Sequence, residues 1–321
     1  MSNALALVEN VEVIEGEVIR AGEVIALPPF RVPGPGLYDL PAPAYHADPC
    51  PEPSLSHSIA RMLVGNKAKS PRHAYHAHPR LNPKWEPDTP TDAKDRGSIL
   101  HSMVLGTGSE FRVLDFKDFR TDRAKEARDK CREAGIIPVL TKHAAEYQEI
   151  AVAILDQIAA HPACEDFNGP GRSEVAAIAE IGPIYCRALF DRLPNKPGAP
   201  AFDLKSTGKD ASPEAFARTI ERDYYMNPAF YLMVAGQVME HPPSGYRFIG
   251  FEVEPPYCLA VHEVSPELFE MGVQDMRRAV EIFTRCLILG EWPGYSTELH
   301  TVHPSAYRLT QAMMAETEAA A

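Results

Sequence analysis

The stretch FDRLPNKPGAPAFDLKS, residues 190–206, gathers Asp191, Asp203 and Lys205 into one short, turn-rich segment. In a strand successive side chains alternate faces, so Asp203 and Lys205 project to one side and Leu204 to the other. With the preceding strand as antiparallel neighbour, Asp191 lies across from them, close enough for two carboxylates to share a cation. Such carboxylates repel unless a proton or a metal resolves the conflict, and hard oxygen ligands suit Mg²⁺ or Mn²⁺. A lysine beside them would position, and help deprotonate, a metal-bound water. The set suits phosphodiester hydrolysis, where the metal lowers the pKa of the attacking water, clamps the phosphate and offsets charge on the leaving oxygen. Taken alone, D-x-K is so common that it reads better as a solvated ion pair on an exposed hairpin.

His101, in GSILH, lies on a predicted helix about ninety residues upstream of Asp191. A single helical histidine is more often a packed or surface residue than a ligand, but imidazole can add a nitrogen to two carboxylates. Four pieces occur in one order: G-x-x-x-H (Gly97 to His101), an Asp ending a strand in LFDRL, D-x-K followed by Ser206, and NPAFY on a helix. Their conjunction is far more specific than any part. The His73, His76 and His78 cluster lacks regular ligand spacing and runs into Pro79, so it is discounted.

The elements that must position these groups can be read from periodicity. Apolar spacing predicts a helix over Asp95–Leu105, a charged helix ending at Gly135, and a longer amphipathic helix capped by Thr141 and closed before Pro162. From Glu174 the texture becomes EVAAIAEI, IYCRALFDRL and AFDLKS separated by turns, which predicts three strands of an antiparallel meander. Ser212-Pro213 opens a helix and Asn227-Pro228 a second one; two further strands (YRFIGFEVE, YCLAVHEVS) and a long C-terminal helix follow. The order implies a mixed α/β or α+β domain, a small sheet flanked by helices.

In these residues the chain resembles the RecE-type exonucleases (exonuclease VIII) of the PD-(D/E)xK nuclease superfamily, whose RecB-like branch carries G-x-x-x-H, Asp, D-x-K and Q-x-x-x-Y in this order. The resemblance also takes in GLYDLPAPAYHADPCPEPSLSHSIARML near the start and EWPGY near the end. It implies a restriction-endonuclease-like core over residues 37–305, preceded by a flexible arm (1–36) and followed by a tail (306–321). It implies that His101, Asp191, Asp203 and the carbonyl of Leu204 ligate the metal, and that Lys205 serves the attacking water. Glu174, opening the first strand of the meander, is either a holder of a second metal or its water, or an ordinary strand-end charge. Tyr231 matches the family tyrosine, but Asn227 replaces the glutamine, and Asn before Pro is suited to cap a helix rather than meet DNA. Arg187 shares a face with Asp191 and would touch a phosphate or pair with an acid; Arg218 and Arg222, one helical turn apart, are a phosphate-tracking pair or a solvated face.

The resemblance further implies a Mg²⁺-dependent exodeoxyribonuclease that digests linear double-stranded DNA from a 5′ end. It would leave a 3′ strand for a single-strand annealing partner in phage or prophage recombination, and act as a homo-oligomeric ring. A ring needs positive charge only along its channel, which fits a chain of 321 residues with net charge −12. No G-x-x-x-x-G-K-[ST] loop occurs, so no ATP-driven motor is expected, and the six scattered cysteines offer no iron–sulfur ligand set. No apolar run approaches a membrane span and the N-terminus is acidic, so a cytoplasmic protein is expected. The alternatives are another nuclease of the superfamily, or a DNA-binding or assembly protein of the same fold that has lost catalysis.

Overall fold

The computed structural model of the chain describes residues 30–319, and most of the arm expected over 1–36 lies outside the described residues. The chain opens with β1 (Gly36–Asp39), α1 (Ala42–His46), β2 (Leu55–Ser56), α2 (His57–Leu63) and α3 (Pro71–Ala77). There follow α4 (Asp92–Leu105), β3 (Phe111–Leu114), α5 (Asp122–Glu133), β4 (Ile137–Leu140) and α6 (Thr141–Ala160). The rest is β5 (Gly171–Ile181), β6 (Ile184–Pro194), β7 (Ala201–Thr207), α7 (Pro213–Thr219), α8 (Met226–Val238), β8 (Tyr246–Glu252), β9 (Leu259–Glu263), α9 (Pro266–Leu289) and α10 (Ala306–Ala319).

A seven-stranded sheet runs in the order β1-β5-β6-β7-β8-β9, with β2 alongside β6; β3 and β4 pair separately. Strands β5, β6 and β7 form the antiparallel meander that the turn spacing predicts. β8 lies parallel to β7, so the helical run between them is a crossover, and the sheet is mixed though mostly antiparallel. Helices cover both faces. Phe190 and Phe248 pack with Phe230 of α8 and Phe283 of α9 on one side. Phe202, Leu204, Ile249 and Phe251 pack with Leu100 of α4 and Ile150 and Ile154 of α6 on the other. The architecture is therefore the expected small sheet between helical layers.

Local departures from the sequence reading have physical causes. Glu174 does not open its strand: β5 begins at Gly171, and Glu174 interrupts the ladder between the Ser173–Arg192 and Val175–Phe190 pairs with φ 52°. Asp191 does not end its strand either, since β6 runs on to Pro194. Thr141 is the first residue of α6 rather than its cap, and its hydroxyl donates to the Leu114 carbonyl at 3.5 Å. Asn227-Pro228 does not start a helix afresh. The chain runs from α7 through a π-helical turn, Ile220–Tyr224, into α8, and Asn227 lies within the first turn of α8 with no side-chain cap. Proline removes one i→i−4 bond inside a helix, and the widened π turn just before Pro228 takes up that loss.

α7 lies directly on β8. A Cβ at Gly250 would meet two ring carbons of Phe216 at 2.5 Å, so only glycine lets the helix approach this closely. Gly250→Ala is expected to cost about 1–3 kcal/mol through overpacking. An unchanged urea midpoint would show that α7 yields easily.

Candidate metal centre

α4 is delimited by Thr91, whose hydroxyl oxygen accepts the Lys94 N–H, and by Gly106 in the left-handed conformation at φ 71°. Its apolar face (Ile99, Leu100, Val104) is buried, which fixes the rotation of the helix and sets His101 over β5 and β6. There Nδ1 of His101 lies 3.1 Å from Oε1 of Glu174, and Nε2 lies 2.8 Å from Oδ2 of Asp191. The three side chains offer ligand atoms within 4.8 Å of one another.

Asp191 reaches α4 because β6 and β7 pair by backbone only at Arg192–Phe202. Next to that pair, where Asp191 stands across from Asp203, the ladder opens. Oδ2 of Asp191 accepts the Leu204 N–H at 2.7 Å, so a carboxylate replaces the missing backbone acceptor. The same oxygen faces His101. This explains how an imidazole on one face of the sheet meets strand-borne acids whose neighbours point to the other.

Asp203 and Lys205 share a face, as alternation predicts, and are ion-paired. Asp203 is almost fully buried, and Lys205 Nζ also donates to the Leu204 carbonyl at 3.2 Å. The lysine nitrogen lies 5.6 Å from the centre of the Tyr224 ring. Two features had no signal in the sequence. Tyr246 hydrogen-bonds Asp203 from β8, and Gly108 follows α4 so closely that a Cβ there would stand 2.9 Å from Ser102 Oγ and 3.5 Å from Cγ of Glu174.

Charge is tightly coupled here. Burial opposes a charged His101, but Asp191 and then Glu174 outweigh it and hold the imidazolium up to about 10. Burial lifts Asp203; Lys205 pulls it down and Asp191 pushes it up, leaving it at about 6. Burial works against the Lys205 ammonium, yet Asp203 and Asp191 keep its pKa above the ordinary lysine value. Burial likewise raises Asp191, but His101 and Lys205 bring it below the usual carboxylate range. Without metal, His101 is therefore a cation clasped by two acids.

That clasp has a pH signature. Because the folded pKa of His101 is raised from 6.5 to about 10, its contribution to stability is fully present below pH 6.5 and is lost as pH rises through 10. In EDTA, the stability gap between the wild type and His101→Ala should shrink across that window in urea titrations. A gap that widens with pH would contradict the ion-paired imidazolium.

Five other expected residues lie outside the candidate ligand set. Arg187 meets no open surface: its guanidinium pairs with Asp48 at 3.1 Å and donates to the Ser54 carbonyl at 3.1 Å, under the ring of Tyr45, so the acid-pairing alternative describes it. Tyr231 is half-buried and packs its ring 5.1 Å from Phe190 and 5.3 Å from Tyr246, against the aromatic cluster behind the acids. Asn227 is buried in the first turn of α8 with Oδ1 lacking a partner among the described residues, so it neither caps the helix nor faces solvent. Arg222 engages the adjacent Asp223 at 2.7 Å, whereas Arg218 stands exposed.

Residues 67–303 match the family described as a PDDEXK-like domain of unknown function (DUF3799). The chain belongs to this family. A PDDEXK-like chain with this mixed sheet between helices is a member of the PD-(D/E)xK superfamily. Among solved structures it is similar to one titled "Putative exonuclease" from Eubacterium rectale, at 16% identity and a TM-score of 0.48, over 80% of this chain and 93% of that one. No curated protein matches. No helix among the described residues is long and apolar enough to cross a membrane.

Proposed function

We propose that this PDDEXK-like chain is a divalent-metal-dependent exodeoxyribonuclease of the RecE type, acting on the ends of linear double-stranded DNA and degrading from 5′ to 3′. The observation that carries the reading is the convergence on one spot of an imidazole nitrogen and carboxylates from three separate elements, with a buried Asp–Lys pair across the opened β6–β7 ladder. One nitrogen and several hard oxygens suit Mg²⁺ or Mn²⁺. His101, Asp191 and Glu174 would hold the cation, with Asp203 and the Leu204 carbonyl at the adjoining edge. A cation held there supplies Lewis acidity, easing charge on the phosphate and making water a stronger nucleophile.

The protein groups divide the remaining work. Lys205 stays protonated, so it orients the incoming water and steadies negative charge as a hydrogen-bond donor; it does not take the proton. Asp203, at about 6, is the acid able to accept and release a proton near neutrality. Tyr246 hydrogen-bonds Asp203, and Tyr231 packs against Tyr246 behind it. The ring-forming homo-oligomer, the annealing partner and a cytoplasmic setting belong to the same proposal.

The test is digestion of end-labelled linear duplex and of a covalently closed circle, each with Mg²⁺ and with EDTA. Loss of linear DNA alone, dependent on metal and releasing the 5′ label first, supports the reading. Cutting of the circle would make it an endonuclease. DNA binding without cleavage under any metal would leave a binding or assembly protein.

A further inference from the structure

We infer that the narrow cleft between α2 and the π-helical turn before α8 holds a non-scissile phosphate of the DNA strand, with Arg61 as its principal contact. The inference rests on the nuclease reading and adds a second point of substrate attachment to it. The cleft is lined by His57, Arg61, Asn66, Lys67, Arg222 and Asp223, among others. Its volume of about 10 Å³ admits a single oxygen-sized group and excludes a base.

Three cations line this cleft against one carboxylate, in a chain of net charge −12. Two of them are already engaged: Lys67 lies 2.9 Å and Arg222 2.7 Å from Asp223. Arg61 has no acid and no hydrogen-bond acceptor among the described residues, although it is half-buried in the last turn of α2. A half-buried guanidinium aimed at a cleft and left without an anion is a binding group in search of one, and a planar fork suits phosphate. His57, one helical turn before Arg61, packs its ring 5.9 Å from Phe230 and 6.3 Å from Tyr231. Burial, then Arg61 and Lys205, depress it to about 3, so it adds no charge to the cleft.

The cleft and the metal centre are linked through one element, the π-helical turn. Lys205 stacks on Tyr224, and Tyr224 follows Arg222 and Asp223 in the same π turn. A strand with its scissile phosphate at Lys205 would cross Tyr224 and meet Arg61 with a neighbouring phosphate. Clamping that second phosphate fixes the direction of the strand, which orients the scissile bond without contributing to the chemistry.

The experiment is fluorescence anisotropy of a labelled duplex in EDTA over a series of salt concentrations. Arg61→Ala should bind about tenfold more weakly at low salt and lose about one from the slope of log affinity against log salt. Arg61→Lys should restore most of the affinity. Should Arg61→Ala melt early, Arg61→Gln, which keeps the packed stem, serves the same comparison. Wild-type affinity and slope in Arg61→Ala would overturn the inference. A wild type that binds DNA through Arg61 but never cleaves it would remove the nuclease reading and leave this site standing.

Discussion

Lys205→Ala is expected to slow cleavage of linear duplex DNA by roughly 10²–10³-fold under single-turnover conditions, the scale seen when one positioned donor to developing charge is removed. Lys205 is the ammonium held between Asp203 and the Leu204 carbonyl, and no other cation among the described residues is ion-paired to Asp203. Its loss removes the donor that orients the nucleophile and leaves Asp203, already lifted to about 6 by burial, without the charge that restrains it. Asp203 then climbs further and stays protonated at neutral pH, so the acid and the amine fail together. Asp203→Ala should fall by a similar factor, and the double variant by little more than either single one, because the two act as a unit. Duplex affinity in EDTA should remain within a few-fold. A Lys205→Ala rate within tenfold of wild type would count decisively against the proposed centre.

The largest effect on stability is expected at a residue outside the metal ligands. Asp48→Ala should cost about 3–5 kcal/mol in urea titrations, the range for breaking one partner of a buried ion pair. Asp48 is fully buried at φ 60° and accepts the Ser54 N–H at 2.9 Å and the Ser54 hydroxyl at 2.6 Å. It also pairs with Arg187 at 3.1 Å. Alanine would leave that guanidinium buried and uncompensated in the middle of β6, three residues from Phe190. Asp48→Asn, which tolerates the left-handed backbone and keeps one acceptor, should cost less. A loss under about 1 kcal/mol for alanine would show that Arg187 finds water or another acceptor.

How far the sequence disclosed this molecule depended on the range of each interaction. Strand alternation was enough to place Asp203 and Lys205 on one side of β7, and turn spacing to find the meander, because both are local. The meeting of His101 with Asp191 could be anticipated only as a conjunction of motif pieces, since residues ninety apart are joined by helix rotation and sheet order. Glu174 was visible as a charge but not as the second partner of His101; its left-handed backbone breaks a ladder that spacing treats as regular. Arg187 was ambiguous for a different reason. Its partner Asp48 lies in a Pro-rich stretch without periodicity, where sequence gives no register. Asn227 misled because N-P usually opens a helix, whereas here a π turn carries the chain straight through it.

The single backbone pair between β6 and β7 has a mechanical side. The sheet is two blocks, one built on β5 and β6 and the other on β7, β8 and β9, joined along a seam where the Asp191 side chain does the work of a peptide carbonyl. Hydrogen exchange should therefore divide the sheet at this line, with amides on either side protected to different depths. A cation drawn to Asp191 sits on the seam itself, so loading the centre would fasten the halves of the protein together as well as equip them for chemistry.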